Sequence, residues 1–181
     1  MSIIMISGRD ENRSAYLQKL INGDRQEIRK ILDSMGGNNS FNINGSEEKI
    51  KTVARQDNVF KELSITENIH LFAGFCSAQE SKITSLIKLF DFESRLKQLY
   101  RKSDEKIQYK VLLLISLLPD VSLLIWEEPF SCLNMSEFEK IALFADQNKI
   151  LIVISGKQDQ MEKTRLNIKM VEIDEKNCPV N

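Results

Sequence analysis

Two apolar runs separated by a helical pattern constrain the fold of this chain more than any other feature. VSLLIW (121–126) and KILIVIS (149–155) are continuous rather than alternating, which is typical of strands buried on both faces of a parallel sheet. Between them lies a helical apolar stripe that opens with a Ser-x-x-Glu cap at Ser136. This order predicts a strand-helix-strand crossover.

The start of the chain shows the same order of elements. IIMI (3–6) ends at Ser7-Gly8 and reads as a buried strand, and a segment with near-helical apolar spacing follows it. Residues 36–53 carry two glycine-containing turns around short apolar segments, which predicts a pair of short strands.

The middle of the chain, about 63–118, is helical by pattern, with Ser64 or Thr66 as the first cap. At 181 residues the chain has the length of one domain. We therefore expect a single α/β domain over residues 1–181, with a mostly parallel sheet, flanking helices and an inserted helical subdomain. The phenylalanines of the middle segment are expected in its core, namely Phe72, Phe75, Phe90 and Phe92.

Charge and rare residues exclude several classes of function. The 25 Lys and Arg residues nearly balance the 26 Asp and Glu residues, so the net charge is −1 and no nucleic-acid partner is indicated. Three widely spaced cysteines suggest neither a disulfide framework nor a zinc site, which favours a reducing cytoplasm. The single histidine, His70, excludes a multi-histidine metal site.

Acidic residues stand directly at the end of one buried run. LLIWEEPFSCLN (123–134) places Glu127 and Glu128 after the strand, with Trp126 expected in the core. Open α/β sheets present side chains to their ligand cleft at the carboxyl ends of the strands. The two carboxylates are therefore expected at such a cleft.

Three segments, in this order, resemble the nucleotide-binding domain of the ATP-binding cassette (ABC) family. GRDENRSA (8–15) stands at its Walker A motif, G-x-x-x-x-G-K-[ST]. VARQDNVFKELSITEN (53–68) resembles its Q-loop and the start of its helical subdomain, and LLIWEEPFSCLN overlays the Walker B and D-loop pattern LLILDEPTSGLD. The resemblance implies a P-loop NTPase-like fold.

The resemblance also assigns candidate nucleotide-binding residues. Gly8 falls on the first glycine of Walker A, Arg13 on the second, Ser14 on the lysine and Ala15 on the Ser/Thr, with Asn12 preceding Arg13. That motif cradles phosphates with backbone N–H groups, neutralises them with lysine and holds Mg²⁺ with a hydroxyl. Three of the four key positions have lost the usual residue, so the motif is degenerate.

Catalytic and metal-binding roles follow from the same resemblance. Glu128 falls on the glutamate that polarises water and is the candidate catalytic residue, in a vestigial form. Glu127 falls on the metal-organising aspartate and Gln56 on the Q-loop glutamine, so both are candidate metal ligands. A glutamate at 127 is one CH₂ longer than aspartate, and Mg²⁺ tolerates displaced ligands poorly. ATP and Mg²⁺ are thus the cofactors implied, at a weakened site.

Further segments of the pattern are altered as well. SDEKI (103–107) stands at the family's signature motif and puts Asp104 and Glu105 where a triphosphate held by an opposite subunit would lie. Ser155 or Gly156 replaces the switch histidine. No counterpart of the family's first strands, which carry an adenine-stacking aromatic, precedes Gly8 in this sequence.

The leading functional hypothesis is a non-hydrolysing ABC ATPase-like subunit, cytoplasmic or peripheral at the inner face of the cell membrane. Its partners would be a membrane permease, an intact ATPase subunit or both, in an export or self-protection system, with a dimer as one arrangement. Two alternatives remain open: a divergent active ATPase of an asymmetric transporter, and a soluble regulatory or binding protein. The candidate partner-binding residues are Phe60, Leu63, Ile65, Glu67 and His70.

Overall fold

The chain folds into two compact units. The computed structural model describes residues 3–8, 10–22, 24, 26–28, 30, 50–53, 59–155, 166 and 168–173. Unit 1 consists of Met1–Thr52 and Ser122–Asn181, and unit 2 consists of Val53–Val121. Unit 2 contains the segment expected to be a helical insert, about 63–118, and extends beyond it at both ends.

Strands and helices are interspersed along the chain, with three consecutive α-helices between the second strand and the third. The strands are β1 (Ile3–Gly8), β2 (Ile50–Val53), β3 (Leu123–Glu127), β4 (Leu151–Ser155) and β5 (Ile168–Ile173). The helices are α1 (Asp10–Ile21), α2 (Ile65–Cys76), α3 (Glu80–Leu89), α4 (Glu105–Leu117) and α5 (Met135–Gln147).

The strands form one sheet in the order β2-β3-β4-β1-β5. Strand β1 pairs in parallel with β4 and β5, and β3 pairs in parallel with β4, so the expectation of a mostly parallel sheet is confirmed. Of the two short strands expected within residues 36–53, β2 is present and the other lies outside the described residues.

Apolar packing on both faces explains why the strands are not alternating in sequence. On one face, Ile4, Ile125 and Val153 pack with Leu17 and Leu20 of α1. On the opposite face, the strands carry the fully buried Trp126, whose ring lies 5.5 Å from that of Phe138 in α5. Because successive side chains point to opposite faces, both sets of strand residues are enclosed.

Helix α5 starts two residues earlier than the Ser136 cap predicted from the sequence. The side chain of Asn134 accepts a hydrogen bond from the backbone N–H of Glu137 at 2.9 Å, and the Glu137 carboxylate accepts one from the N–H of Asn134 at 2.9 Å. This reciprocal capping box satisfies two N–H groups that a helix leaves unpaired. The predicted crossover from β3 through α5 to β4 is present.

Unit 2 is helical, as the pattern predicts. Ser64 caps α2, and Phe90 and Phe92 are buried, as expected. Phe75 is an exception to the predicted core, because 72% of it is exposed. None of the helices in the described part of the chain is both long and apolar enough to cross a membrane.

A fully buried asparagine fixes the segment that leads into α2. The side-chain carbonyl of Asn68 accepts the N–H of Phe60 at 2.9 Å, and its amide donates to the carbonyls of Phe60 and Ser64, both at 3.0 Å. Asn68 has no exposed surface. A buried amide is tolerated only when its polar atoms are paired, so this network ties residues 60–64 to the helix.

A lysine closes the end of α4 in the same unit. The ammonium of Lys82 donates to the carbonyl of Pro119 at 2.7 Å, just beyond the last turn of α4. Burial lowers the pKa of Lys82, while the nearby Asp120 and Cys76 act in the opposite direction. Cations near a helix C-terminus satisfy its unpaired carbonyls, so Lys82 has a structural role here.

We expect Asn68→Ala to lower the free energy of unfolding by about 1–3 kcal/mol, because it leaves the Phe60 N–H and its neighbours without their buried partner. Urea unfolding followed by far-UV circular dichroism measures the change. Asn148→Ala is the matched control: that exposed side chain makes one hydrogen bond, to the Phe144 carbonyl, and its loss should cost less than about 0.5 kcal/mol. Equal effects of the two substitutions would contradict the assigned network.

Stability should also depend on the charge of Glu67. The Ser64 hydroxyl and then the Ser64 N–H hydrogen-bond to the Glu67 carboxylate and lower its pKa below the usual 4.5. A group with a lowered folded-state pKa stabilises the protein above its unfolded value and loses that contribution as the pH falls through the folded value. Glu67→Gln should therefore reduce the urea midpoint at pH 7, and this reduction should shrink as the pH falls through the lowered pKa of the carboxyl. A reduction that stays the same at every acidic pH would refute this.

Candidate functional site

Three strand ends meet at one edge of the sheet in unit 1. Because β1, β3 and β4 are parallel, their carboxyl ends lie together. Ser155 at the end of β4 is in register with Glu127 of β3 and with Ile6 of β1. The structure therefore brings the expected nucleotide-binding segment at the end of β1 to the same edge as the expected catalytic segment at the end of β3.

The segment that stands at the Walker A motif is helical from its second residue after the strand. Strand β1 ends at Gly8 and α1 begins at Asp10. Asn12 and Arg13 are therefore helical, with backbone N–H groups aligned along the helix axis. A phosphate cradle needs N–H groups that converge from a loop around the anion. Residues 10–13 of this segment are helical and therefore do not form such a loop, while residue 9 lies outside the described residues.

Ser14 and Ala15 stand at the two positions that would bind phosphate and metal, but their side chains do not suit these roles. Ser14, at the place of the lysine, is exposed on α1 and carries no charge. Ala15, at the place of the Ser/Thr, packs its methyl group against the apolar cluster under α1 and offers no oxygen ligand. Neither side chain supplies the positive charge or the oxygen ligand that a nucleoside triphosphate with Mg²⁺ requires at these positions.

Arg13 and Glu128 form the central contact of this edge. The Arg13 Nη2 atom donates to the Glu128 Oε1 atom at 2.7 Å, and the two residues are 115 positions apart in the chain. The Arg13 side chain is only 11% exposed and that of Glu128 is 38% exposed. A charge-assisted hydrogen bond of this length is among the stronger polar contacts in proteins. The expected catalytic carboxylate is thus engaged by the residue at the second Walker A glycine.

The backbone of Glu128 is strained. Its φ of 47° and ψ of 51° lie in the left-handed region, which costs a residue with a side chain about 1–2 kcal/mol. Its N–H donates to the Ser155 carbonyl at 3.2 Å, and its carbonyl accepts the Ser131 N–H at 3.0 Å and the Ser131 hydroxyl at 2.8 Å. We call residues 128–133, which include the one-turn 3₁₀ helix Pro129–Ser131, the Glu128 turn.

Glu127 and Ser155 lie side by side on the face of the sheet that α1 covers. Glu127 is exposed, whereas Ser155 is 1% exposed and its hydroxyl has no hydrogen-bond partner in the part of the chain that is described. Over the same residues, no group of three or more His, Cys, Asp or Glu side chains is close enough to hold a metal ion. Gln56, the other candidate metal ligand, lies outside the described residues.

The described residues at this edge do not fit Mg-ATP. Residues 10–13 are helical, Ser14 and Ala15 lack the needed groups, and a guanidinium donates to one oxygen of Glu128. The opposite charges at this edge instead bind each other. The assignment of nucleotide binding to Gly8, Asn12, Arg13, Ser14 and Ala15 stays a prediction.

The segment 103–107, which stands at the signature motif, lies in unit 2, and two of its side chains form hydrogen bonds with the backbone of the same chain. Asp104 caps α4, its carboxylate accepting the Ile107 N–H at 2.8 Å, and Glu105 lies exposed in the first turn. The Ser103 hydroxyl is buried and donates to the Leu99 carbonyl at 3.3 Å. Negative charge at a helix N-terminus stabilises the helix and repels a further anion.

The candidate partner-binding residues are distributed unevenly. Phe60 is 52% exposed and His70 is exposed on α2, whereas Leu63 is half-buried. Ile65 is completely buried, so it belongs to the core of unit 2 and not to a surface. Glu67 is held in the capping box with Ser64.

Phe75 is the most exposed aromatic residue of the described part of unit 2, whereas the sequence favoured the core for it, with an apolar groove for a permease helix as the alternative that the resemblance implies. The Phe72 ring lies 6.3 Å from that of Phe60 and makes an edge-on contact with that of Phe75 at 5.8 Å. We call Phe60, Phe72 and Phe75 the aromatic patch. Gly74, beside Phe75, faces open space, since an added Cβ would meet nothing within 4 Å. The spacing of Phe72 and Phe75 on one helix could have indicated a shared surface.

Comparisons with known proteins agree with this fold. No family model and no curated protein matches the sequence. A solved structure of the ATP-binding subunit of an ABC transporter is similar, with a TM-score of 0.67 and 15% identity, over 95% of this chain and 76% of that one. CbiO1 from Clostridium perfringens, part of the ABC transporter complex CbiONQ, is similar with a TM-score of 0.62 and 15% identity, over 87% and 67%. The chain therefore has the fold of the ATP-binding subunits of ABC transporters.

Proposed function

We propose that this chain is a non-hydrolysing ABC ATPase-like subunit that acts through protein contacts. The observation that carries the proposal is the contact between Arg13 and Glu128 at 2.7 Å, beside a Walker A-like segment that is helical from Asp10 onward. The fold is that of ATP-binding subunits, whereas the residues at its expected nucleotide site bind one another.

Glu128 is poorly placed to act as a general base. A base must accept a proton from water, and the oxygen Oε1 of Glu128 already accepts a hydrogen bond from a guanidinium. One oxygen of the carboxylate therefore has an internal hydrogen-bond partner in place of a substrate water.

The chain is equally unsuited to complete a nucleotide site on another subunit. By resemblance, the segment 103–107 would approach a triphosphate held by an opposite subunit. Asp104 caps α4 and Glu105 is exposed in its first turn, so this helix end presents two carboxylates. Two like charges about 4 Å apart repel by roughly 1 kcal/mol in bulk water and by more in a drier interface. This favours a role through contact and disfavours a shared ATP site.

The aromatic patch of unit 2 supplies a surface for such contact. Phe60 and Phe75 are 52% and 72% exposed, and Asn68 fixes the backbone of Phe60 through two hydrogen bonds. Exposed aromatic side chains on a rigid backbone are typical anchors of protein interfaces, because little entropy is lost on binding. By resemblance the partner is a membrane permease, which would place the chain at the inner face of the cell membrane.

Nucleotide binding tests the first half of the proposal. We expect no heat of binding in calorimetry with Mg-ATP up to a dissociation constant of about 1 mM, which corresponds to about 4 kcal/mol. We also expect no phosphate release above the uncatalysed rate. Turnover that disappears in Glu128→Gln would overturn the proposal and indicate a divergent ATPase.

Partner capture tests the second half. In cells that naturally produce the chain, we expect a multi-span membrane protein to co-purify with it from detergent-solubilised membranes. Phe75→Asp should reduce recovery of that protein by about tenfold or more, since anchor residues contribute about 2 kcal/mol or more. Leu143→Asp is the matched control, because Leu143 is 53% exposed but lies on α5 of unit 1.

The other outcomes of this capture distinguish the alternatives. Co-purification with an intact ATPase whose activity falls on Glu128→Gln would indicate an asymmetric ATPase. A stable homodimer with no membrane protein attached would indicate a soluble regulatory protein. If Phe75→Asp and Leu143→Asp reduced recovery of the membrane protein equally, the aromatic patch would not be the contact surface.

A further inference from the structure

We infer that the Arg13–Glu128 ion pair is a latch that keeps the Glu128 turn closed. The turn begins with a residue in a strained left-handed conformation, with φ at 47°. Such a conformation persists only where surrounding contacts hold it. The latch is the contact by which the side chain of Glu128 is tied to a separate helix, α1.

The other contacts of Glu128 explain why a latch is needed. Its carbonyl binds the N–H and the hydroxyl of Ser131, which belongs to the same turn and moves with it. Its N–H reaches the Ser155 carbonyl at 3.2 Å, near the long end of the normal range. The Arg13 contact is shorter, at 2.7 Å, and is charge-assisted. It is therefore the stronger of the two hydrogen bonds that join Glu128 to β4 and α1, while the ring of Phe130 packs on that of Phe138 at 4.9 Å and Pro129 and Leu133 are buried.

Burial separates this pair from an ordinary surface ion pair. The Arg13 side chain is 11% exposed, whereas the surface pair Arg101–Glu62 has side chains that are 53% and 76% exposed. Exposed pairs contribute little because water and salt screen them and because long side chains lose entropy. The chain thus contains its own control, a pair at 3.1 Å in unit 2 that is not expected to hold any segment in place.

The segment that the latch controls lies at the surface. Ser131 is exposed, Cys132 is partly exposed, and the turn leads directly into the capped start of α5 at Asn134. Opening the latch would free the Glu128 side chain from α1, let Glu128 leave the left-handed region and expose Ser131 and Cys132 further, whereas the buried Pro129 and Leu133 and the contact of Phe130 with Phe138 keep the rest of the turn in place. The latch is thus a conformational device of unit 1, and it does not depend on whether the chain hydrolyses ATP or binds a permease.

The alkylation rate of Cys132 reports the state of the turn. Thiols in partly protected positions react through local opening, so the rate follows the population of the open form. We expect Arg13→Gln to increase the rate of iodoacetamide labelling at Cys132 by about fivefold, which corresponds to about 1 kcal/mol. Peptide mass spectrometry at one fixed pH measures labelling at Cys132 and Cys76 in the same molecule. Cys76 is also a partly exposed free cysteine but lies in unit 2, and its rate should not change.

Further variants separate the latch from a general loss of stability. Glu128→Gln should increase the labelling rate of Cys132 as Arg13→Gln does. The double variant should be labelled no faster than either single variant, because both substitutions remove the same contact. Arg101→Gln should leave the labelling rate of Cys132 unchanged. The latch is refuted if Arg13→Gln leaves Cys132 at the wild-type rate, if Cys76 accelerates equally, or if the two single effects simply multiply. Each of these results stands apart from any finding on ATP.

Discussion

The parallel alignment of β1, β3 and β4 is the constraint on which the rest of unit 1 depends. Parallel strands place their carboxyl ends at one edge, and this brings residues near position 10 within reach of residues near position 128. Apolar side chains from both faces hold the alignment, with α1 on one side and Trp126 against Phe138 on the other. In the folded sheet, the guanidinium of Arg13 on α1 therefore lies beside the carboxylate of Glu128, which directly follows β3.

That meeting produces an ion pair where the fold of ATP-binding subunits leads one to expect a ligand. The segment that stands at the Walker A motif is helical from Asp10, and the Arg13 side chain extends from this helix to the end of β3. There the Glu128 carboxylate accepts a hydrogen bond from the Arg13 guanidinium. The two features support each other, because a largely enclosed guanidinium is stabilised by an anion and a strained turn is stabilised by a contact to a separate element. In unit 2, Asp104 caps α4 at the segment resembling the signature motif, so that segment too binds to its own chain.

Patterns local in sequence predicted the strands β1, β3 and β4, the burial of Trp126 and a helix cap at Ser64 or Thr66, of which the structure has Ser64, because each depends on a few neighbouring residues. The Arg13–Glu128 contact spans 115 positions and follows from tertiary register, which spacing along the chain does not encode. The helix start at Asp10 was hidden by the resemblance of GRDENRSA to a loop motif, and Asn134 outcompeted Ser136 as a cap. Phe75 was assigned to the core because apolarity alone does not reveal which helix face is covered.

The central claim is that the edge formed by β1 and β3 is closed by its own residues. An experimental structure of the protein crystallised with millimolar Mg-ATP tests this most directly. The account predicts a helix from residue 10, an Arg13–Glu128 contact at hydrogen-bond length and no ordered nucleotide at the sheet edge. A loop at residues 9–13 wrapped around a triphosphate, with Arg13 turned from Glu128 to the phosphates, would contradict it.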